Sequence, residues 1–161
     1  MPASLEYLER CSAETGYQIG ALEKVTRLGE IAGEVGRHRA LRKSLALKGG
    51  TAINLCAGPL TRLSVDLDFN FIGCADREGM LRERPGIEVA LEDIIRQLGY
   101  QVQRSADAVA SRKIYATYRS VLGPTDRIEV DVNFLWRTPF AGVRQAELWQ
   151  PGELERPGIT V

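Results

Sequence analysis

The 161 residues carry 21 Lys plus Arg and 21 Asp plus Glu, so no global field steers the chain toward nucleic acid, and any polyanion has to be met by a local patch. An apolar share of 44% and a charged share of 26% are those of an ordinary soluble protein, and the length allows one core without disulfides or a structural metal. Cys11, Cys56 and Cys74 are odd in number with no CxxC pair, which argues against a disulfide framework or a zinc knuckle and fits buried thiols in a reducing compartment. Met1 to Arg10 has charges and no apolar core, and no stretch approaches the ~18 apolar residues of a membrane span, so a cytoplasmic protein is expected.

A short helix is expected from Leu5 to Ser12. Ile19, Leu22, Val25, Leu28, Ile31 and Ala32 then recur at helical spacing and predict an amphipathic helix from Tyr17 to about Val35, broken at Gly36. The basic segment Arg37, His38, Arg39, Arg42 and Lys43 follows, then a buried strand from Ser44 to Leu47. Thr51 to Ala57 reads as a short helix opening on Gly49 and Gly50, and Gly58-Pro59 stops it because proline cannot continue the ladder.

From Arg62 to Phe71 the pattern alternates, with Leu63, Val65, Leu67, Phe69 and Phe71 on one side and Ser64, Asp66, Asp68 and Asn70 on the other, which predicts a half-buried strand with an acidic face. A helix is expected from about Ile87 to Leu98, capped by Gly99. Tyr100 to Arg104, Lys113 to Val121 and Arg127 to Trp136 are strand candidates, the last two joined by the turn residues Gly123-Pro124-Thr125-Asp126. The expected architecture is one α+β domain over residues 1–161, a mixed or antiparallel sheet with helices mainly on one side, turning irregular after Pro139.

The period of two aims Asp66 and Asp68 at one point. Two such carboxylates repel unless a cation lies between them, and their hard oxygens suit Mg²⁺, which keeps several waters and shares one or two carboxylates with substrate phosphates. The chemistry this serves is phosphoryl or nucleotidyl transfer. A bare Asp-x-Asp is also the ordinary solvated face of an edge strand, and a Gly-Gly turn is also an ordinary tight turn. Their combination is more specific: Gly49-Gly50-Thr51 between a strand and a helix offers backbone amides to a phosphate, the acids begin sixteen residues after Gly50, and Asp131 stands on a later strand beside Glu129 and Asn133. His38, the single histidine, lies inside a basic run and makes a poor general base, which argues against a Ser-His-Asp or Cys-His hydrolase. Trp136 and Trp149 are expected to pack in the core rather than stack on bases.

Three acids on two strands near a glycine turn resemble the polymerase-beta-like nucleotidyltransferase superfamily. Leu47-Lys48-Gly49-Gly50-Thr51-Ala52-Ile53-Asn54-Leu55, followed by Arg62-Leu63-Ser64-Val65-Asp66-Leu67-Asp68-Phe69, resembles more narrowly the AbiEii/AbiGii family of nucleotidyltransferase toxins. The resemblance implies Gly49, Gly50 and Thr51 as the phosphate-cradling turn and Asp66 and Asp68 as ligands of Mg²⁺ or Mn²⁺. By superfamily analogy Asp131 is the third catalytic acid and metal ligand. Arg62, Ser64 and Lys48 match the motif as triphosphate contacts, Arg62 equally as a solvated loop residue and Lys48 with an ammonium that turns away if the residue lies on the strand.

Family members continue into a helical portion with a further lysine and acid, whereas this sequence ends at Val161, so a short or minimal form is expected, with Lys113 or Arg112 either standing in for that lysine or equally being ordinary strand-surface charges. The resemblance implies transfer of a nucleoside monophosphate from an NTP to RNA, tRNA 3′ ends above all, and a cognate antitoxin as partner. The basic cluster before the strand is either an RNA contact or a solvated helix end. A non-catalytic nucleotide- or RNA-binding domain of the same fold, and a transferase acting on protein, are the alternatives.

Overall fold

The Ser4 hydroxyl accepts the Tyr7 amide at 3.2 Å to open α1 (Leu5–Thr15), and Gly16, at φ 76°, closes it by donating its own amide to the Ser12 carbonyl. In the computed structural model, which describes residues 2–57 and 60–161, Leu8 and Cys11 of α1 pack on Leu22 of α2 (Ile19–Arg37). The second helix does not break at Gly36. A Cβ there would lie 2.2 Å from the Gly158 carbonyl oxygen, so this glycine lets another segment's backbone cross the helix at close range.

After the single turn α3 (Leu41–Ser44), strand β1 (Leu45–Lys48) runs into α4 (Gly49–Thr51), which widens into a π-helical stretch over Ala52–Ala57. The expected stop at Gly58-Pro59 lies outside the described residues. Strand β2 (Leu67–Phe71) is shorter than the alternation suggests, since residues 62–66 are loop. Helix α5 (Arg77–Gln97) starts ten residues before the expected Ile87, where Asp76 accepts the Gly79 amide at 2.6 Å, and it continues through Pro85. The proline removes one ladder bond. Tertiary contacts of the neighbouring Arg84 hold that half in place: its guanidinium lies 4.5 Å from the centre of the Phe134 ring and donates to Glu88 and to the carbonyls of Ala108 and Val109.

Strands β3 (Gln101–Arg104), β4 (Ser111–Arg119) and β5 (Thr125–Asn133) form the expected antiparallel meander. The five-stranded order is β1-β2-β5-β4-β3, and β2 joins the meander by pairing parallel to β5. Past Pro139 the chain is not wholly irregular: β6 (Gln145–Glu147) and β7 (Gly158–Thr160) form a small ribbon, and the Gly158 carbonyl is the one against Gly36.

Strand alternation divides the large sheet into two faces. Leu45, Leu47, Leu67, Phe69, Ile114, Val130 and Val132 are buried in one core with Leu28 and Ile31 of α2 and Leu91 and Ile95 of α5. At roughly 1.5–3 kcal/mol for each large apolar side chain buried, this face supplies most of the drive to fold. Charges within it are paired. Glu23 of α2 accepts both Nε and Nη2 of Arg27, at 3.0 and 2.8 Å, and Glu88 of α5 accepts Arg84 and Arg112. The opposite face carries Asp68, Asn70, Glu129, Asp131, Asn133 and Lys113, all partly exposed. Helices thus cover one face of this α+β fold and leave the polar face open.

Candidate functional site

Parallel pairing sets Asp68 beside Asp131 and Asn70 beside Asn133, while antiparallel pairing sets Lys48 across from Asp68 and Lys113 across from Asp131. Register partners send their side chains to the same face, so Lys48 does not turn away but shares the acidic face, as Lys113 does. Asp66 lies one residue before β2, at the rim of that face. Its position is set by Thr51, whose hydroxyl donates to the Asp66 carbonyl and also bonds to the Ser64 hydroxyl at 2.9 Å. The glycine turn and the loop before β2 are tied together through this one threonine.

Gly49 has φ 70°, and a Cβ on it would stand 3.1 Å from Oδ2 of Asp68. A Cβ on Gly50 would stand 3.2 Å from Oγ of Ser64 and 3.6 Å from Nη2 of Arg62. The turn is therefore stripped of side chains where Asp68, Ser64 and Arg62 converge. For Gly49→Ala we expect a loss of about 1–2 kcal/mol from the left-handed backbone, readable in urea denaturation, together with a displaced Asp68 and reduced turnover. Unchanged stability and turnover would show that the turn tolerates a side chain.

Burial first, and then the charges of Glu129 and Asp68, raise the Asp66 carboxyl above its ordinary range against the opposing fields of Lys24 and Lys113. Burial likewise raises the Asp131 carboxyl, with Lys113 opposing and Asp68 adding to the shift. The Asp131 Oδ1 is buried without a hydrogen-bond partner among the described residues. Such an atom is costly to bury unless something binds it. An oxygen-only donor set with one orphaned carboxylate oxygen fits a hard divalent cation. Among the described residues no three Asp, Glu, His or Cys side chains are gathered closely enough to hold a metal by themselves.

Arg112 is not in the site. It leaves β4 on the helix-covered face, where it donates to Glu88 at 3.3 Å and Asp107 at 2.7 Å, while Lys113 reaches Glu129 at 3.5 Å on the acidic face. The basic cluster is also elsewhere, because it precedes Leu45 at the start of β1 and the site lies at its end, roughly 10–13 Å along the strand. Within the cluster, Arg37 is paired to Glu34 at 2.6 Å and the Nδ1 of His38 accepts the Leu41 amide. Trp149 is half-buried between the two cores, but Trp136 is 74% exposed and does not pack as expected. Sequence reasoning passed over Asn70, whose buried Oδ1 lacks a partner; its place in the Asp66-Asp68-Asn70 alternation was the available signal.

The three cysteines are free thiols. Burial pushes the Cys56 thiol up to about 11, so it is no nucleophile at neutral pH. Its alkylation by iodoacetamide at pH 8 should run roughly tenfold slower than that of a free thiol, since the scarcity of thiolate outweighs its higher nucleophilicity. Labelling at the rate of free cysteine would contradict this environment.

No curated protein matches the chain. Among solved structures it is similar to a putative nucleotidyltransferase from H. pylori at 15% identity and TM-score 0.57, covering 88% of this chain and 54% of that one. It is also similar to JHP933 from Helicobacter pylori, at 16% identity and TM-score 0.52 over 82% of this chain and 51% of that one. The chain spans about half the length of these structures, and at such identities they establish the fold alone. Residues 36–161, from the end of α2 through the glycine turn, the acidic strands and the ribbon, match the family described as nucleotidyl transferase AbiEii toxin, type IV TA system, and the chain belongs to that family.

Proposed function

We propose that this chain transfers a nucleoside monophosphate from an NTP to an RNA acceptor, tRNA being the leading candidate, and that it is a toxin restrained by a cognate antitoxin. The single observation that carries the catalytic reading is the parallel pairing of Asp68 with Asp131 next to the side-chain-free turn at Gly49 and Gly50. In the transfer, the acceptor hydroxyl oxygen bonds to the α-phosphorus, the bond from that phosphorus to the α,β-bridging oxygen breaks, and pyrophosphate leaves. An acid of this face such as Asp131 accepts the hydroxyl proton.

The absent side chains of Gly49 and Gly50 leave room for the triphosphate, with Thr51 holding the turn's shape. Arg62, Ser64, Lys48 and Lys113 surround it with donors and positive charge. Asp66, Asp68 and Asp131 would hold Mg²⁺ or Mn²⁺, which supplies charge neutralisation on the phosphates. No helix among the described residues is long and apolar enough to cross a membrane, which is compatible with a cytoplasmic site of action on RNA.

The test is incubation of the chain, and of Asp66→Ala, with total tRNA, Mg²⁺ and each α-labelled NTP in turn, followed by denaturing gels. Label on RNA that vanishes in the variant supports the proposal and identifies the nucleotide. Label on protein instead redirects the acceptor, and absence of both label and Mg²⁺-dependent NTP binding overturns the catalytic reading.

A further inference from the structure

On the outer side of the π-helical stretch, Asn54, Cys56 and Trp149 line a cavity with Arg144 and Arg156. Two guanidiniums around one concavity repel each other unless an anion sits between them. Glu147 lines the same cavity but forms no ion pair with either, and among the described residues neither arginine side chain has a hydrogen-bond or ion-pair partner.

The cavity is connected at both ends to other cations that have no ion-pair partner among the described residues. On one side the Trp149 amide donates to the Leu55 carbonyl at 2.9 Å, fixing the cavity wall to the stretch that begins at the glycine turn, where Arg62 stands. On the other side Arg144 exchanges two backbone hydrogen bonds of 2.9 Å with Val161, and the neighbouring Thr160 hydroxyl donates to the Arg42 carbonyl at 3.2 Å. That carbonyl belongs to the basic segment, where Arg42 and Lys43 are exposed. The cluster that lies away from the active face along β1 is thereby joined to it around the edge of the molecule, through the ribbon.

We infer that Arg42, Lys43, Arg144, Arg156 and Arg62 form one cationic belt that seats the phosphodiester backbone of the RNA acceptor and leads its end to the glycine turn. The inference rests on the proposed RNA acceptor. The alternative approach, across the open sheet face, brings a polyanion over Asp66, Asp68, Glu129 and Asp131, whose four negative charges outnumber the two positive charges of Lys48 and Lys113 on that face. Guanidiniums freed from local partners are the groups best suited to phosphate, and such contacts give affinity without sequence readout. An acidic protein would find the same charges, but a belt that ends at the transfer site serves a substrate that must reach it.

The test is fluorescence anisotropy of end-labelled tRNA with the whole chain across a series of KCl concentrations, comparing Arg144→Ala/Arg156→Ala with Arg77→Ala/Arg82→Ala. The second pair removes equal charge from exposed residues of α5, outside the belt. The belt pair should weaken binding roughly tenfold and flatten the log–log salt dependence by about 1–2, from two lost phosphate contacts. The α5 pair should change neither, and Mg²⁺-dependent NTP binding should survive in both. If the wild-type chain binds and labels RNA and the two pairs behave alike, the belt is overturned and the acceptor reading stands. If it neither binds nor labels RNA, both fall. Loss of antitoxin inhibition in the belt pair with RNA binding intact would assign the surface to protein and overturn the inference.

Discussion

Asp68→Asn should reduce nucleotidyl transfer on the order of 10²–10³-fold while leaving the fold as stable as before or slightly more so. The carboxylate is the centre of the polar face, beside Asp131, across from Lys48 and against the Cα of Gly49. Asparagine keeps the shape and removes the charge. The folded state also holds Asp68 where its charge helps to raise the Asp131 carboxyl, so the substitution relieves a repulsion. A site residue differs in this from a structural one, since loss of activity and loss of stability go in separate directions. The paired measurements are single-turnover labelling of acceptor and urea denaturation. A variant that retains transfer, or that loses it only because it unfolds, would remove Asp68 from the chemistry.

The converse result is expected at Glu23. Its carboxylate is 2% exposed and accepts the Arg27 guanidinium, the Ser120 hydroxyl at 2.6 Å and the Val121 amide at 3.1 Å. Arg27 in turn lies 3.9 Å from the centre of the Tyr118 ring, which meets Tyr100 edge-on. Glu23→Ala leaves this guanidinium buried without its counter-charge and the β4–β5 turn without its anchor, a loss of about 3–5 kcal/mol. Against the ~5–15 kcal/mol that a domain of this kind possesses, that is a large share. Glu23→Leu combined with Arg27→Met should recover much of it, because the desolvation of both ions is removed together. A single-variant loss below about 1 kcal/mol in urea denaturation would mean that water reaches the pair.

Much of this arrangement was legible in the sequence because it rests on local rules. The alternation in residues 128–134 gave β5 and its acidic face, and the helical period gave α2. What misled were residues whose role is set by distant partners. Gly36 reads as a break until the Gly158 carbonyl is placed against it, and the half of α5 before the expected Ile87 is held by Arg84, anchored to Phe134 and the 108–109 loop. Residues 62–66 alternate like a strand, yet β1 ends at Lys48 opposite Asp68, the pairing with β5 begins only at Leu67, and Thr51 takes the Asp66 carbonyl. The candidate site was legible as a set of residue types. Its assembly was not, because the parallel β2–β5 pairing has no local signature. The inclusion of Lys48 follows from the β1–β2 register and the exclusion of Arg112 from the β4–β5 register.

The same pairing sets a clock on the protein's manufacture. Asp68 and its neighbour Asp131 are separated by about 60 residues of chain, and synthesis proceeds at ~5–20 residues per second. For several seconds after the Asp-x-Asp motif leaves the ribosome there is no β5 for it to join, and the long loop between them must close before the pair is rewarded. A nascent chain carrying the Asp-x-Asp motif therefore lacks the neighbouring strand that completes its acidic face. The acidic face is complete only once the meander has been delivered and docked.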